Sequence, residues 1–197
     1  PHPTGSGRAL KKVIALFGSA TRAADTITLR RRGLVWLPVW GLGNAAATLV
    51  GQNLGANRAD RAIRSVKLTA KYSLYFMIIF GVLQFIFASQ IMNLFSDNQD
   101  VINYGINCLK IIACGYPALA IGMIIVQSLN GAGDIKSPAI INFLSYWVIQ
   151  IPLAYFLSVH TDLMGNGVFI SILVAEIILA ILAYLVFQKS KWQEVNI

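Results

Sequence analysis

Long runs without Asp, Glu, Lys or Arg decide what this chain can fold into. Gly33–Asn57, Tyr72–Ser96, Ile111–Gly133 and Ser137–Thr161 contain none, and Leu163–Gln188 contains only Glu176. The third run extends back to Val101 across Lys110. About 20 apolar residues cross the hydrocarbon of a bilayer, so each run is long enough to span. Lipid offers no partner for a backbone N–H or C=O, which leaves helices as the form these runs take. The sequence therefore predicts an all-α integral membrane protein with about five transmembrane helices, its core formed where helices face one another.

Composition limits the function classes. The chain is 56% hydrophobic and 12% charged, where soluble domains carry about 25% charged residues. Its net charge of +8 raises the question of nucleic acid, but the bases sit between the apolar runs. There they orient a membrane protein and meet anionic lipid, so the bilayer, not nucleic acid, is the expected partner. Cys108 and Cys114 both fall in the third helix without metal or disulfide spacing, and read as small buried residues. His2 and His160 have no partners for metal or nucleophilic chemistry. No Ser/His/Asp set, HExxH or paired catalytic acids is present. No enzyme, cofactor or metal site is expected.

Charge between the runs suggests an orientation. Arg58, Arg61, Arg64, Lys67 and Lys71 face only Asp60, and the next connection, around Asp97 and Asp100, is acidic. Alternation then places the loop 58–71, the connection 130–138 and the C-terminus in the cytoplasm, with the turns near Asp97 and His160 outside. The basic leader, Arg8 to Arg32, fits this scheme poorly. Three central arginines would each cost about 2.5–3.5 kcal/mol, so Arg30–Arg32 belong near an interface or a wet cavity. With no initiating Met, the chain reads as a piece of a longer one: a flexible lead at 1–12, a lobe at 13–193 and a tail at 194–197.

Several motifs lie on the helices. Gly51 and Gly55 form a GxxxG pattern that permits close helix approach. Pro38, Pro117 and Pro152 interrupt the first, third and fourth helices and predict kinks. Leu129–Asp134 ends the third helix with glycines suited to left-handed caps, and Pro138 suits a first helical turn.

Five strings occur in register: Phe17-Gly18-Ser19-Ala20, Gly41–Ala62, Leu129–Asp134, Ile151-Pro152-Leu153-Ala154-Tyr155 and Gly165-Asn166-Gly167-Val168. In this order they resemble the multidrug and toxic compound extrusion (MATE) transporters, over roughly residues 13–193. The likeness is to the carboxy-terminal half, nearest the DNA-damage-inducible and archaeal branch. The resemblance implies most of one six-helix lobe of a twelve-helix antiporter fold, exporting xenobiotics or organic cations in exchange for H⁺ or Na⁺. It also implies a partner, the N-terminal lobe or a second copy. Family members place a coupling acid on the first helix, or an acid pair on the seventh and tenth. The tenth-helix equivalent here, 103–130, has no acid and carries Lys110 instead.

Candidate functional residues follow. Glu176 is an ionisable group within an apolar run, costly to hold there and so a marker of proton or ion handling. Lys110 is either a snorkelling side chain or a pathway charge paired with Glu176. Asn44, Gln52, Gln127, Asn130, Asn142 and Gln150 offer interhelical hydrogen bonds or substrate contacts. Tyr116, Tyr146, Trp147 and Tyr155 line an organic-cation cleft through cation–π contact or belong to interfacial aromatic belts. The reading is an antiporter lobe in the inner membrane of a prokaryote. Its alternatives are a flippase for lipid-linked oligosaccharide, kept open by Arg22 and Arg30–Arg32, and a non-transporting membrane scaffold.

Overall fold

A computed structural model describes residues 18–161 and 166–189, with side chains described from Val35 onward. The expected lead at 1–12 and tail at 194–197 lie outside the described residues, as do the side chains of Arg22 and Arg30–Arg32. Within the described residues the chain is helix joined by short turns. The order is α1 (Gly18–Gly55), α2 (Ala59–Ile86), α3 (Ala88–Asn93), α4 (Gln99–Gly131), α5 (Lys136–Phe143), a π-helical segment (Leu144–Gln150), α6 (Ile151–Val159) and α7 (Asn166–Gln188). Among the described residues four spans pass on length and apolarity: α2, α4, the continuous Lys136–Val159 rod and α7. The fifth expected span falls on α1, whose side chains are described only from Val35 onward.

Two boundaries differ from the sequence reading for one physical reason. The first helix extends back at least to Gly18, well before Gly33, and contains Arg30–Arg32. The basic stretch 58–71 is not a loop: helix α2 starts at Ala59 and runs through it. Charge marks where hydrocarbon ends, whereas Ala, Arg, Lys and Leu all favour helix, so both helices continue past the charge. At 1.5 Å per residue the 38 residues of α1 measure about 57 Å, well beyond a hydrocarbon core of about 30 Å.

α4 is the hub. In its most apolar stretch 61% of residues are buried, against 22% for α2 and for the Lys136–Val159 rod. One core cluster joins Val39, Met77, Tyr116, Ala120 and Phe169; another joins Val50, Val66, Ile124, Leu129 and Leu179. The outer faces carry Phe76, Ile79, Ile86, Ile140, Phe143 and Ile181, all exposed, as a wall against lipid should be.

Small residues let α1 and α4 run side by side in the same direction. A Cβ on Gly43 would stand 2.9 Å from Gln127 Cγ, and one on Gly131 would stand 2.5 Å from Ala47 Cα. Gly51 faces the Gly131 carbonyl oxygen, but Gly55 meets nothing within 4 Å. The expected GxxxG contact is therefore made by Gly51 against Gly131, without Gly55.

Both helices end on the same motif. Asn57 has φ 56° and Gly133 has φ 83°. The N–H groups of Asn57 and Arg58 donate to the Leu54 and Asn53 carbonyls, and those of Gly133 and Asp134 donate to Asn130 and Leu129. Each is a Schellman turn, satisfying the last carbonyls of its helix. The Asn98 side chain caps α4 by accepting from the N–H groups of Asp100 and Val101. Asp134 Oδ1 accepts from the Ser137 N–H at 3.0 Å, at the start of α5.

The prolines act differently from one another. α1 and α4 continue through Pro38 and Pro117. Before Pro152 the helix widens into the π-helical segment Leu144–Gln150. Proline donates no hydrogen bond and crowds the preceding turn, and a π turn is one way a helix accommodates that.

Candidate transport and coupling site

Two clusters of polar side chains are anchored on α4. The first lies between α4, α2 and α7. Glu176 on α7 is only 2% exposed. It lines a small cavity of about 10 Å³, with Ile112, Gly115, Tyr116 and Leu119 of α4 and Ile172 and Leu173 of α7. That is room for about one water molecule. Tyr116, also 2% exposed, donates its hydroxyl to Gln84 Oε1 at 2.8 Å. Gln84 Nε2 in turn donates to the Leu109 carbonyl at 3.0 Å. A chain of hydrogen bonds thus runs from the Glu176 cavity into α2 and back to the α4 backbone.

Gln84 was not singled out in the sequence. Its signal was there: the only amide side chain of α2, on the helix's buried side with Ala62, Val66, Ser73, Met77 and Gly81. Recurrence at helical spacing with other small or buried residues is what distinguishes it from a surface glutamine.

The second cluster joins α1 to α4. Gln127 Nε2 donates to Asn44 Oδ1 at 3.0 Å, and Asn130 Nδ2 donates to Gln127 Oε1 at 2.9 Å. Gly43 leaves the space into which Gln127 packs. The structure therefore brings Asn44, Gln127 and Asn130 together, while Gln52 sits exposed further along α1.

Lys110 and Glu176 do not form the pair considered from the sequence. The Lys110 ammonium lies 5.2 Å from the centroid of the Phe85 ring on α2, whereas Glu176 faces the cavity between α4 and α7. The aromatic candidates also separate. Tyr116 is interior, Tyr146 is half-buried, and Trp147 and Tyr155 are about half exposed, at 49% and 51%. Tyr155 and Phe156 pack on the His160 ring at the end of α6. Gln150 is buried and Asn142 half-buried. Cys108 is buried, with Sγ 3.9 Å from Asn166 Oδ1, but Cys114 is exposed, contrary to the expectation that both are buried.

Apolar outer walls, long parallel and antiparallel rods and an apolar core holding a few polar side chains define the class: a lobe of a polytopic helical membrane protein. The MatE family model matches residues 6–156, and the chain belongs to the MATE family. It is similar to a probable multidrug resistance protein NorM of Thermotoga maritima, with 25% identity over 182 residues, covering 92% of this chain and 39% of that protein. A probable multidrug resistance protein NorM of Oceanobacillus iheyensis is 28% identical over 185 residues, covering 93% and 41%. The crystal structure of the Vibrio cholerae MATE transporter VcmN in the bent form matches with a TM-score of 0.86 and 25% identity, over 94% of this chain and 42% of that one. The chain thus spans about two-fifths of the length of the relatives it matches.

Proposed function

We propose that this chain is the C-terminal lobe of a secondary active transporter that exports organic cations or other xenobiotics by alternating access, coupled to inward H⁺ or Na⁺. The observation that carries this reading is Glu176: a carboxylate buried in a spanning helix, on a cavity walled by the hub helix. An ionised carboxylate in hydrocarbon is costly unless it exchanges a proton or meets a cation, and such exchange is the chemistry coupling requires. Tyr116 holds one wall of the cavity through its bond to Gln84, so a change at Glu176 can be felt in α2. Asn44 and Gln127 tie the polar side of α1 to α4. Gln52, Trp147 and Tyr155, being exposed, are available to substrate or to the missing lobe. The lobe works against an N-terminal lobe or a second copy, in the inner membrane of a prokaryote, with 58–71 and the C-terminus on the cytoplasmic side.

The test uses the intact transporter in sealed vesicles with an imposed pH or Na⁺ gradient, following efflux of the organic cation ethidium. Glu176→Gln is expected to abolish gradient-driven efflux while leaving expression and folding unchanged. Unchanged efflux at normal expression removes Glu176 from coupling. A second reading, flipping of lipid-linked oligosaccharide, draws on Arg22 and Arg30–Arg32 within α1; translocation of that anionic substrate, with no movement of ethidium, would favour it. A stable protein partner with no transport of either would favour the scaffold.

A further inference from the structure

The first turns of α2 carry a feature that transport does not absorb. Arg61, Arg64, Lys67 and Lys71 are all exposed and recur at three- and four-residue spacing, which puts them on one side of the helix. The opposite side is buried through Ala62, Val66, Ser73 and Met77. Among the described residues none of the four cations has a carboxylate partner; Lys71 instead lies 5.8 Å from the centroid of the Tyr75 ring. Asp60 is the acid in the first turn.

The same side of α2 continues without interruption into the lipid wall. Leu68, Tyr72, Tyr75, Ile79, Leu83 and Ile86 follow at helical spacing and are 48–61% exposed. Down one helix face the order is therefore cations, then a pair of tyrosines, then aliphatic side chains. A bilayer presents the complementary order: phosphate headgroups, the interfacial zone that tyrosine prefers, then hydrocarbon. Because α2 enters the membrane as one unbroken helix, the cations are held at a fixed height above the tyrosines, which a flexible loop would not provide.

We infer that Arg61, Arg64, Lys67 and Lys71, with Tyr72 and Tyr75, form a binding stripe for anionic phospholipid headgroups along the outer face of α2. Charge complementarity identifies the occupant. Each basic side chain near an anionic surface adds to lipid attraction, and guanidinium groups favour phosphate. The aliphatic continuation accommodates acyl chains, which a soluble anion lacks.

Native mass spectrometry of the intact transporter in detergent, titrated with phosphatidylglycerol or phosphatidylcholine, tests this. Arg64→Gln with Lys67→Gln is expected to weaken phosphatidylglycerol binding by roughly tenfold or more and to leave phosphatidylcholine unchanged. The charge-keeping Arg64→Lys with Lys67→Arg is expected to retain binding. Should the glutamine variant fail to fold, 0.5 M salt on the unaltered protein serves instead: it should weaken phosphatidylglycerol binding selectively, because screening shortens at that ionic strength. Equal binding of the two lipids, or no effect of variant and salt, overturns the assignment. So does displacement by millimolar inorganic phosphate, which would mark a bare anion site. A photo-crosslinker at Leu68 captured by another protein segment, not by lipid, also overturns it.

Discussion

Gly131→Ala isolates the contact on which the α1–α4 pair depends. The added Cβ would stand 2.5 Å from Ala47 Cα and closer still to its carbonyl oxygen, whereas carbon atoms rest at about 3.5–4.0 Å. The obstacle is backbone, so no side chain can swing away and the helices must part locally by about 1 Å. Overpacking of this kind costs about 1–3 kcal/mol. The same displacement stretches the Gln127–Asn44 hydrogen bond, now 3.0 Å, beyond bonding distance and removes about 0.6–2 kcal/mol more. A total of about 2–5 kcal/mol lowers the unfolding temperature by on the order of 10 °C. Cys108 supplies the readout, since it is fully buried: with every other cysteine in the intact transporter replaced by serine, its reaction with a thiol-specific fluorophore on heating reports unfolding. Gly55→Ala is the control, because a Cβ there meets nothing within 4 Å and alanine favours helix over glycine. Equal unfolding temperatures for the two variants would refute the reasoning.

Two further outcomes are open to the same assay. Tyr116→Phe leaves Gln84 Oε1 without its 2.8 Å donor in a buried site, and should cost about 1–3 kcal/mol; adding Gln84→Leu should recover part of that, and if it recovers none the bond is not the source of the loss. Gly133→Ala forces a side chain into φ 83° at a cost of about 1–2 kcal/mol, whereas Asn57→Gly, at φ 56°, should be neutral or stabilising.

Much of the architecture was legible before any coordinates, because in lipid the absence of charge is nearly sufficient to locate a span. Helix ends were less so. Arg30–Arg32 and Arg58–Lys71 were read as the limits of helices, yet both stretches are helical, since charge reports the water boundary and not backbone conformation. The Gly133 turn was readable because glycine so often supplies the left-handed residue after a helix. The matching turn at Asn57 was hidden in an ordinary-looking asparagine. In the candidate site, Glu176 was visible as an acid in an apolar run, and its burial could be anticipated. Its separation from Lys110 could not: both lie in apolar helices, and only the packing of Lys110 against Phe85 reveals that the two point apart. The pairing of Asn44 with Gln127 likewise depended on α1 and α4 running in the same direction, which needs tertiary information.

The claim beneath all of this is that α2 crosses the bilayer, with its basic start on one side and the turn after it on the other. Sealed vesicles of known orientation test it, using an otherwise cysteine-free intact transporter bearing one thiol at Arg64 or at Asp97 and a maleimide that cannot cross the membrane. The expected result is labelling of one position from outside and of the other only after the vesicles are opened. Labelling of both from the same side would contradict a spanning α2 and the lobe built around it.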